Sequence, residues 1–287
     1  MSSPSAPADE VSEADFLTLQ RLMLEQSAIL LDRGRSYLVD ARLRPVVRRY
    51  QLPGIAELIR ALRPGDHPQL MADTVDALTT NETSFLLFPE LMEPLAEGLL
   101  APLAKAAARD PRRPLTVWSA ACSSGQEPYS LAILLREHHR ALVDSGRVRI
   151  LASDLSPTMV MRCAAGRFSR IEVRRGLPAV LLDRHFERDG RDHVAVDELR
   201  ALLAPLVINL VQPWPGIPRC DLVVLRNVLR YFPEPVRYQV IERIRRTALA
   251  PGGRLLLGDD DPILGPSDGF QPVGPAPLAC YRAAEAA

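Results

Sequence analysis

From residue 115 onward, short apolar segments rich in strand-forming residues alternate with helical segments. This alternation predicts a mainly parallel sheet flanked by helices, because parallel strands need a long crossover connection and a helix usually supplies it. The predicted strands are 115–121, 148–152, 207–210, 221–225 and 254–257, with a final return between 271 and 281. The predicted helices are 128–137, 156–165 and 236–248. We therefore expect an α/β fold that binds ligands beyond the carboxyl ends of its strands.

The sequence before the first strand differs in composition and in the spacing of its apolar residues. Residues 1–12 are rich in Ser, Pro, Ala and acidic residues, which predicts a disordered tail. Apolar residues in 13–100 recur at three- and four-residue spacing, which predicts a small all-helical domain. Residues 101–114 are charged and contain prolines, which predicts a linker. The second domain then spans 115–287, with a polar, arginine-rich insert around 166–200.

Charge and cysteine patterns exclude several classes of function. With 35 basic and 35 acidic residues, the chain has no general attraction to nucleic acid or to a membrane surface. The four cysteines form no CxxC pair, which argues against a zinc site or a disulfide framework. No apolar run reaches the roughly 20 residues of a membrane span, and the N-terminus has no signal segment. We expect a cytoplasmic monomer that binds no metal and no nucleic acid.

Polar segments follow the first two predicted strands. In SAACSSGQEPYS (119–130), Gly125 allows the backbone to approach a ligand closely, and Pro128 is expected at the first helical position. Asp154, after the second strand, can accept hydrogen bonds from both ribose hydroxyls of a nucleoside. Asp is also a favoured helix cap, but Ser156 suits that role better and leaves Asp154 available. The first loop has no GxGxxG and no Walker lysine, which favours S-adenosylmethionine (SAM) over NAD or ATP.

Three further segments are weaker on their own. Asn209-Leu210 follows the third predicted strand, and its asparagine either reads an adenine edge or makes a turn. RNVLRYF (226–232) follows a buried strand, where it lies over the reacting end of a cofactor or begins a capped helix. NETSF (81–85) is notable only for its position between the two predicted domains.

Taken together, these segments resemble the CheR family of protein-glutamate methyltransferases in order and spacing. The resemblance extends from about residue 14 to residue 283. It implies a Rossmann-like class I SAM methyltransferase domain with a small N-terminal all-helical domain. It also implies SAM-dependent methylation of glutamate side chains on a chemoreceptor-like protein, which gives glutamate methyl esters and S-adenosylhomocysteine.

The resemblance also implies roles for individual residues. Tyr231 matches the family tyrosine beside the transferred methyl group. A glutamate carboxylate is already ionised at neutral pH, so the reaction needs positioning and exclusion of water rather than a general base. The residues implied to contact the cofactor are Asn81, Thr83, Glu127, Asp154, Asn209, Leu210, Arg226 and Asn227.

An arginine-rich stretch precedes these motifs. Arg35, Arg42 and Arg49 are seven residues apart, which predicts one basic helix face that is either merely solvated or a docking surface. The family holds the acidic methylation helix of its receptor with such a helix, and the resemblance implies this role for Arg35, Arg42 and Arg48. Pro45 predicts a kink or an early end of the helix.

Two departures from the family pattern bear on activity. Leu87 stands where the family segment Asn-x-Thr-x-Phe-Phe-Arg has its arginine, and we hypothesise that Arg230 partly replaces that guanidinium as a catalytic residue. The string Gly258-Asp-Asp-Asp261 stands where the family has a Gly-His-Ser-Glu type string, and three acids there would repel an acidic substrate. Two alternatives therefore stay open: a weakened or inactive SAM-binding docking protein, and a methyltransferase with a different acceptor.

Overall fold

The structure, a computed structural model, describes residues 11–62 and 66–284. The predicted tail therefore lies almost wholly outside the described residues. The chain divides into two compact units. The first contains the described residues up to Thr80 together with Tyr231–Pro233, and the second contains Asn81–Arg230 and the residues from Glu234 onward. The first unit thus ends before residue 100, where the sequence analysis placed its boundary.

The first unit is helical. Its helices are α1 (Glu13–Ser27), α2 (Ser36–Arg49), α3 (Ile55–Ala61) and α4 (Pro68–Leu78), with a 3-10 turn at Arg33–Arg35. The hydroxyl of Ser12 caps α1 by accepting a hydrogen bond from the N–H of Asp15. Helix α2 continues through Pro45, so the predicted early end is wrong. Leu19, Leu43 and Leu58 are completely or almost completely buried and form the centre of this unit.

Near its start the second unit has a helical stretch, whose last part lies in the segment 101–114 that we expected to be a linker. The stretch consists of α5 (Pro89–Glu93), a π-helical turn (Pro94–Leu100) and α6 (Ala101–Arg109). The linker prediction is wrong for 101–109, because Pro102 falls in the first turn of α6, where its missing N–H costs nothing. The small apolar residues of α6 bury one face of the helix.

A seven-stranded sheet forms the core of the second unit. Its strands are β1 (Leu115–Ala120), β2 (Val148–Asp154), β6 (Leu203–Val207), β7 (Cys220–Leu225), β8 (Leu249–Leu257), β9 (Phe270–Pro272) and β10 (Ala279–Ala283). The strands β3 (Arg167–Ser169), β4 (Phe186–Asp189) and β5 (Asp192–Ala195) form a smaller sheet. The order in the large sheet is β6-β2-β1-β7-β8-β10-β9, and β10 is antiparallel to both of its neighbours. Every residue of β1 and β7 is buried, so both faces of the sheet are covered.

Helices connect these strands. They are α7 (Gln126–His138), α8 (Arg140–Asp144), α9 (Pro157–Ala165), α10 (Arg170–Val173), α11 (Ala179–His185), α12 (Asp197–Arg200) and α13 (Glu234–Arg243), which continues as a π-helical turn (Ile244–Ala248). The hydroxyl of Ser156 caps α9 by accepting from the N–H of Met159, as the sequence predicts. Helix α7 begins at Gln126, so Pro128 is not the first helical residue.

The third strand lies earlier than predicted. The apolar run 207–210 suggested a strand there, but β6 is Leu203–Val207 and pairs in parallel with β2. Strand β6 is an edge strand, which explains why its residues are partly exposed and why Pro205 is tolerated. Neither feature resembles a buried central strand in the sequence.

Residues 166–200 contain a second, three-stranded antiparallel sheet in the order β3-β5-β4, with short helices beside it. In the part of the chain that the structure describes, no helix is both long and apolar enough to cross a membrane.

Candidate functional site

A carboxylate is held rigidly at the carboxyl end of β2. Asp154 is buried, and its Oδ2 accepts a hydrogen bond from the N–H of Ser123 at 2.8 Å while its Oδ1 accepts from the N–H of Ser156 at 3.0 Å. The Ser123 hydroxyl donates in turn to the backbone carbonyl of Asn81 at 2.9 Å. Ser156 is the helix cap, as the sequence predicts, and Asp154 accepts two backbone N–H groups of the neighbouring turns instead of capping the helix. The two N–H groups fix the orientation of a carboxylate that can receive a diol.

The loop between β1 and α7 owes its shape to left-handed residues. Ala121, Ser123 and Gly125 have φ angles of 60°, 50° and 103°. A Cβ on Gly125 would lie 2.9 Å from the Sγ of Cys163 and 3.2 Å from its Cα. Gly125 is thus required for close packing between the start of α7 and helix α9, whereas the sequence suggested close approach to a ligand.

A second carboxylate lies at the start of α7. Glu127 is buried; its Oε1 accepts from the Ser119 hydroxyl at 2.7 Å, and its Oε2 lies 3.8 Å from Nη1 of Arg226. Burial raises the pKa of Glu127, and the Arg226 guanidinium and the Ser119 hydroxyl oppose that rise. A glutamate from α7 and an arginine from the end of β7 therefore form one polar group beyond the carboxyl ends of the strands.

The acidic run after β8 does not face the site as three free charges. Asp261 is buried, and its carboxylate accepts hydrogen bonds from the N–H groups of Asn227, Leu229 and Gly258. Asp260 forms an ion pair with Arg230, with Nη1 and Oδ2 2.6 Å apart. The Asp261 carboxylate is turned toward backbone donors. Repulsion of an acidic substrate by the three aspartates stays a prediction.

Residues after β6 lie at the same carboxyl-terminal edge of the sheet. The N–H of Ile208 donates to the carbonyl of Asp154 at 2.9 Å, which places Asn209 directly after the paired strands. The Asn209 Oδ1 accepts from the N–H of Val211, so this side chain does shape a turn. Leu210 is buried, and its carbonyl accepts from the indole N–H of Trp214. An adenine-binding role for Asn209 and Leu210 remains a prediction.

The segment containing Asn81 and Thr83 is anchored by the 166–200 region. The N–H groups of Phe85 and Leu87 donate to the carbonyls of Arg175 and Gly176, each at 3.0 Å. The ring of Phe85 packs edge-on against Phe168, with centroids 5.2 Å apart. Both Phe85 and Leu87 are completely buried. The side chain at position 87 thus belongs to the core, which is a physical reason for leucine there.

Substitution of Gly176 tests whether the 166–200 region anchors the Asn81 segment. The φ of Gly176 is +84°, and a Cβ would lie 2.2 Å from the carbonyl oxygen of Phe85. Gly190 has a similar φ of +62° with nothing within 4 Å of its Cβ position, so Gly190→Ala reports the cost of the left-handed backbone alone. We expect Gly190→Ala to lower the free energy of unfolding by about 1 kcal/mol and Gly176→Ala by roughly 2 kcal/mol more. Urea unfolding of both variants measures the difference, and equal losses would contradict the anchoring.

Tyr231 and the basic residues belong to the helical unit. The carbonyl of Tyr231 accepts from the N–H of Leu30 at 3.0 Å. Nη1 of Arg42 donates to the carbonyls of Leu78 and Thr79 at the end of α4. Arg48 is exposed on α2. The roles predicted for these residues stay predictions.

Two of the three arginines of the predicted basic face, Arg42 and Arg49, lie on α2. Arg35 precedes α2 in the 3-10 turn, so it does not continue the helix of Arg42 and Arg49, and its side chain lies outside the described part of the structure. Arg49 forms an ion pair with Asp73, with Nη1 and Oδ2 2.8 Å apart. A face shared by all three arginines stays a prediction.

Sequence reasoning missed several residues that build the site. Ser119 and Ser123 orient the two carboxylates, Asp261 holds the loop after β7, and Gly176 anchors the Asn81 segment. The serines carried a signal, since both lie within the recognised 119–130 motif, and Asp261 lies in the acidic string that the sequence analysis noted without this role. Among the described residues, no group of three His, Cys, Asp or Glu side chains is arranged to hold a metal ion.

The sheet order with its single antiparallel strand and the oriented acid after β2 define a class I SAM-dependent methyltransferase fold. Two family profiles match the sequence: "CheR methyltransferase, all-alpha domain" over residues 14–79, and "CheR methyltransferase, SAM binding domain" over residues 81–276. The chain belongs to the CheR family of chemotaxis methyltransferases.

Curated relatives agree along nearly the whole chain. The "Chemotaxis protein methyltransferase" of Vibrio anguillarum is 32% identical over 274 residues, which cover 95% of this chain and 98% of the relative. The "Chemotaxis protein methyltransferase 1" of Pseudomonas aeruginosa is 34% identical over 276 residues, with 95% and 98% coverage. The similarity therefore extends over both units.

Proposed function

We propose that this protein transfers the methyl group of SAM to glutamate side chains of a chemoreceptor-like partner, acting as a monomer in the cytoplasm. The products are glutamate methyl esters and S-adenosylhomocysteine. The observation that carries this proposal is the buried Asp154 carboxylate, oriented by two backbone N–H groups and linked through Ser123 to Asn81. This arrangement links Asp154, a carboxylate suited to the ribose hydroxyls, to the Asn81 segment, which the family resemblance implies to bind the methionine end of SAM.

The residues present fit SAM. Asp154 would hold the ribose hydroxyls, and Asn209 with Leu210 would border the adenine. The remaining polar residues, implied to lie around the methionine end and the sulfonium, are Asn81, Thr83, Glu127, Arg226 and Asn227. A nucleotide carrying phosphates fits less well, because the loop after β1 has no lysine or arginine to neutralise it. When bound, SAM supplies an electrophilic methyl group on a sulfonium.

The chain's own residues need only bind, orient and exclude water. The substrate carboxylate attacks the methyl carbon; an O–C bond forms as the C–S bond breaks, and the bonding pair stays on sulfur. No proton moves, so no histidine or cysteine base is required. Tyr231 and Arg230 are proposed to position the reacting groups, which agrees with catalysis that depends on alignment.

A second function is favoured by one observation. Position 87 is a completely buried leucine, so it offers no guanidinium to the reaction. If that arginine is indispensable, the protein binds SAM and a partner without turnover. A methyltransferase with another acceptor is the remaining alternative. The inward-facing carboxylate of Asp261 removes part of the argument for lost activity.

Partner binding is proposed to use exposed arginine on α2. We expect Arg48→Glu to weaken binding of an acidic receptor domain roughly five- to tenfold at low salt, because an exposed charge at an interface acts mainly through long-range attraction. Its free energy of unfolding should not change. Titration of a purified receptor cytoplasmic domain measures the affinity.

Arg42→Glu is the informative comparison. Arg42 donates to two carbonyls at the end of α4, so its replacement should cost about 1 to 2 kcal/mol of stability in addition to any loss of binding. Unchanged receptor affinity in Arg48→Glu at low salt would remove α2 from the proposed docking surface.

The proposed activity is tested by incubating the protein with SAM and a receptor cytoplasmic domain, followed by peptide mass spectrometry. We expect the added mass of one methylene on specific glutamates, and no addition with Asp154→Ala. Modification of another residue type would support the different-acceptor alternative.

A further inference from the structure

Asp261 lies after β8, outside every segment that the family resemblance assigns to the cofactor. Its Oδ2 accepts hydrogen bonds from the N–H of Asn227 at 2.6 Å and from that of Gly258 at 2.8 Å. Its Oδ1 accepts from the N–H of Leu229 at 3.2 Å. One buried carboxylate thus satisfies donors from two loops, one after β7 and one after β8.

The backbone at Asn227, which donates to Asp261, is not fixed by burial of the Asn227 side chain. Asn227 is exposed and has a φ of 59°, a left-handed conformation that non-glycine residues keep only where the surroundings impose it. The hydrogen bond from its N–H to Asp261 supplies that constraint.

Gly258 allows the two loops to approach. A Cβ at this position would lie 2.2 Å from Oδ1 of Asn227 and 2.8 Å from its backbone nitrogen. There is no room for a side chain, so the loops after β7 and β8 are closely packed at this point.

Charge connects this structure to the cofactor residues. Arg226 precedes Asn227, and its Nη1 lies 3.8 Å from Oε2 of Glu127. Burial raises the pKa of Asp261, and attraction to Arg226 opposes that rise. Burial also raises the pKa of Glu127, and the nearby charge of Asp261 adds to that rise. A shift of the loop after β7 would therefore change the distance between Arg226 and Glu127.

We propose that Asp261 is a positioning residue for methyl transfer, which holds the loop after β7 so that Arg226 stays opposite Glu127 at the cofactor site. This rests on the proposed function, since it takes SAM to be the ligand there. Asp261 occupies the position of the glutamate in the family's Gly-His-Ser-Glu type string. A carboxylate is therefore present in both cases, and the aspartate side chain is one methylene shorter.

The test compares Asp261→Asn with Asp221→Asn. Asp221 is also buried and accepts a backbone N–H, from Thr116 at 2.9 Å, and it pairs with Arg113 near the amino ends of β1 and β7. It is thus a matched carboxylate away from the cofactor. We expect both variants to lose stability in urea. Only Asp261→Asn should bind S-adenosylhomocysteine about tenfold more weakly and raise the KM for SAM, and Asp261→Glu should restore most of the affinity.

The results distinguish failure of the proposed SAM-dependent function from failure of the role proposed for Asp261. No binding of S-adenosylhomocysteine by the wild type would overturn the proposed function and this proposal with it. Normal binding by the wild type and unchanged affinity in Asp261→Asn, with stability alone reduced, would show that Asp261 is only structural. If Asp261→Asn does not fold, Gly258→Ala carries the test: weakened affinity supports the proposal, and unchanged affinity overturns it.

Discussion

Asp154→Ala is expected to weaken binding of S-adenosylhomocysteine at least about 100-fold. Hydrogen bonds to a charged group contribute about 1.5 to 3 kcal/mol each, and a ribose offers two hydroxyls to this carboxylate. The substitution also leaves the N–H groups of Ser123 and Ser156 without their acceptor, so the loop after β1 loses its fixed shape. Isothermal titration calorimetry of the purified protein measures the affinity.

Asp154→Asn is the graded control. It keeps one acceptor oxygen in the same place, so we expect an affinity between those of the wild type and Asp154→Ala. Unfolding curves for both variants show whether a loss of affinity merely follows a loss of folding. Wild-type affinity in a folded Asp154→Ala protein would mean that the ribose is not held at the end of β2.

Arg226→Met is expected to lower the free energy of unfolding by about 3 kcal/mol at pH 8. Arg226 is largely buried, and its positive charge compensates the carboxylates of Glu127 and Asp261. Without it, these two buried negative charges have no opposite charge beside them, which destabilises the fold. Urea unfolding at several pH values measures this loss.

The pH dependence of that variant has a definite sign. Burial already raises the pKa of Glu127 and of Asp261, and Arg226 opposes both rises, so its removal raises both pKa values further. The folded variant then binds protons that the unfolded chain releases. Its stability should fall as pH rises from the ordinary glutamate pKa of about 4.3 through the raised folded values. The deficit should therefore be smaller at pH 5.5 than at pH 8.

The double variant Arg226→Met/Glu127→Gln identifies the cause. Removal of the Glu127 charge should restore part of the stability and reduce the pH dependence. A deficit that does not change with pH, or no gain in the double variant, would contradict electrostatic compensation by Arg226.

Elements determined by local sequence were predictable. Strands β1, β2 and β7 are mostly apolar and almost wholly buried, because both faces of the sheet are covered. The cap of α9 follows from a serine directly before Pro157. The edge strand β6 was misplaced, because partial exposure and Pro205 remove the usual strand pattern. Helix α6 was missed, because charge and proline in a short segment resemble a linker.

The direction of polar side chains was not predictable. Sequence alone showed an acidic run, but not that Asp261 turns inward to three backbone N–H groups while Asp260 pairs with Arg230. Likewise, Leu87 appeared only as a missing arginine, and its burial depends on contacts with distant residues. Such features depend on tertiary neighbours, which one sequence does not specify.

The most direct test of the account is transfer of a radiolabelled methyl group from SAM to a purified receptor cytoplasmic domain. We predict label that alkali releases as methanol, as expected for a carboxyl methyl ester. The label should be lost with Asp154→Ala and also when the receptor's methylated glutamates are replaced by glutamine. Binding of SAM without any transfer, or label that resists alkali, would contradict glutamate methylation and leave the docking protein or a different acceptor as the function.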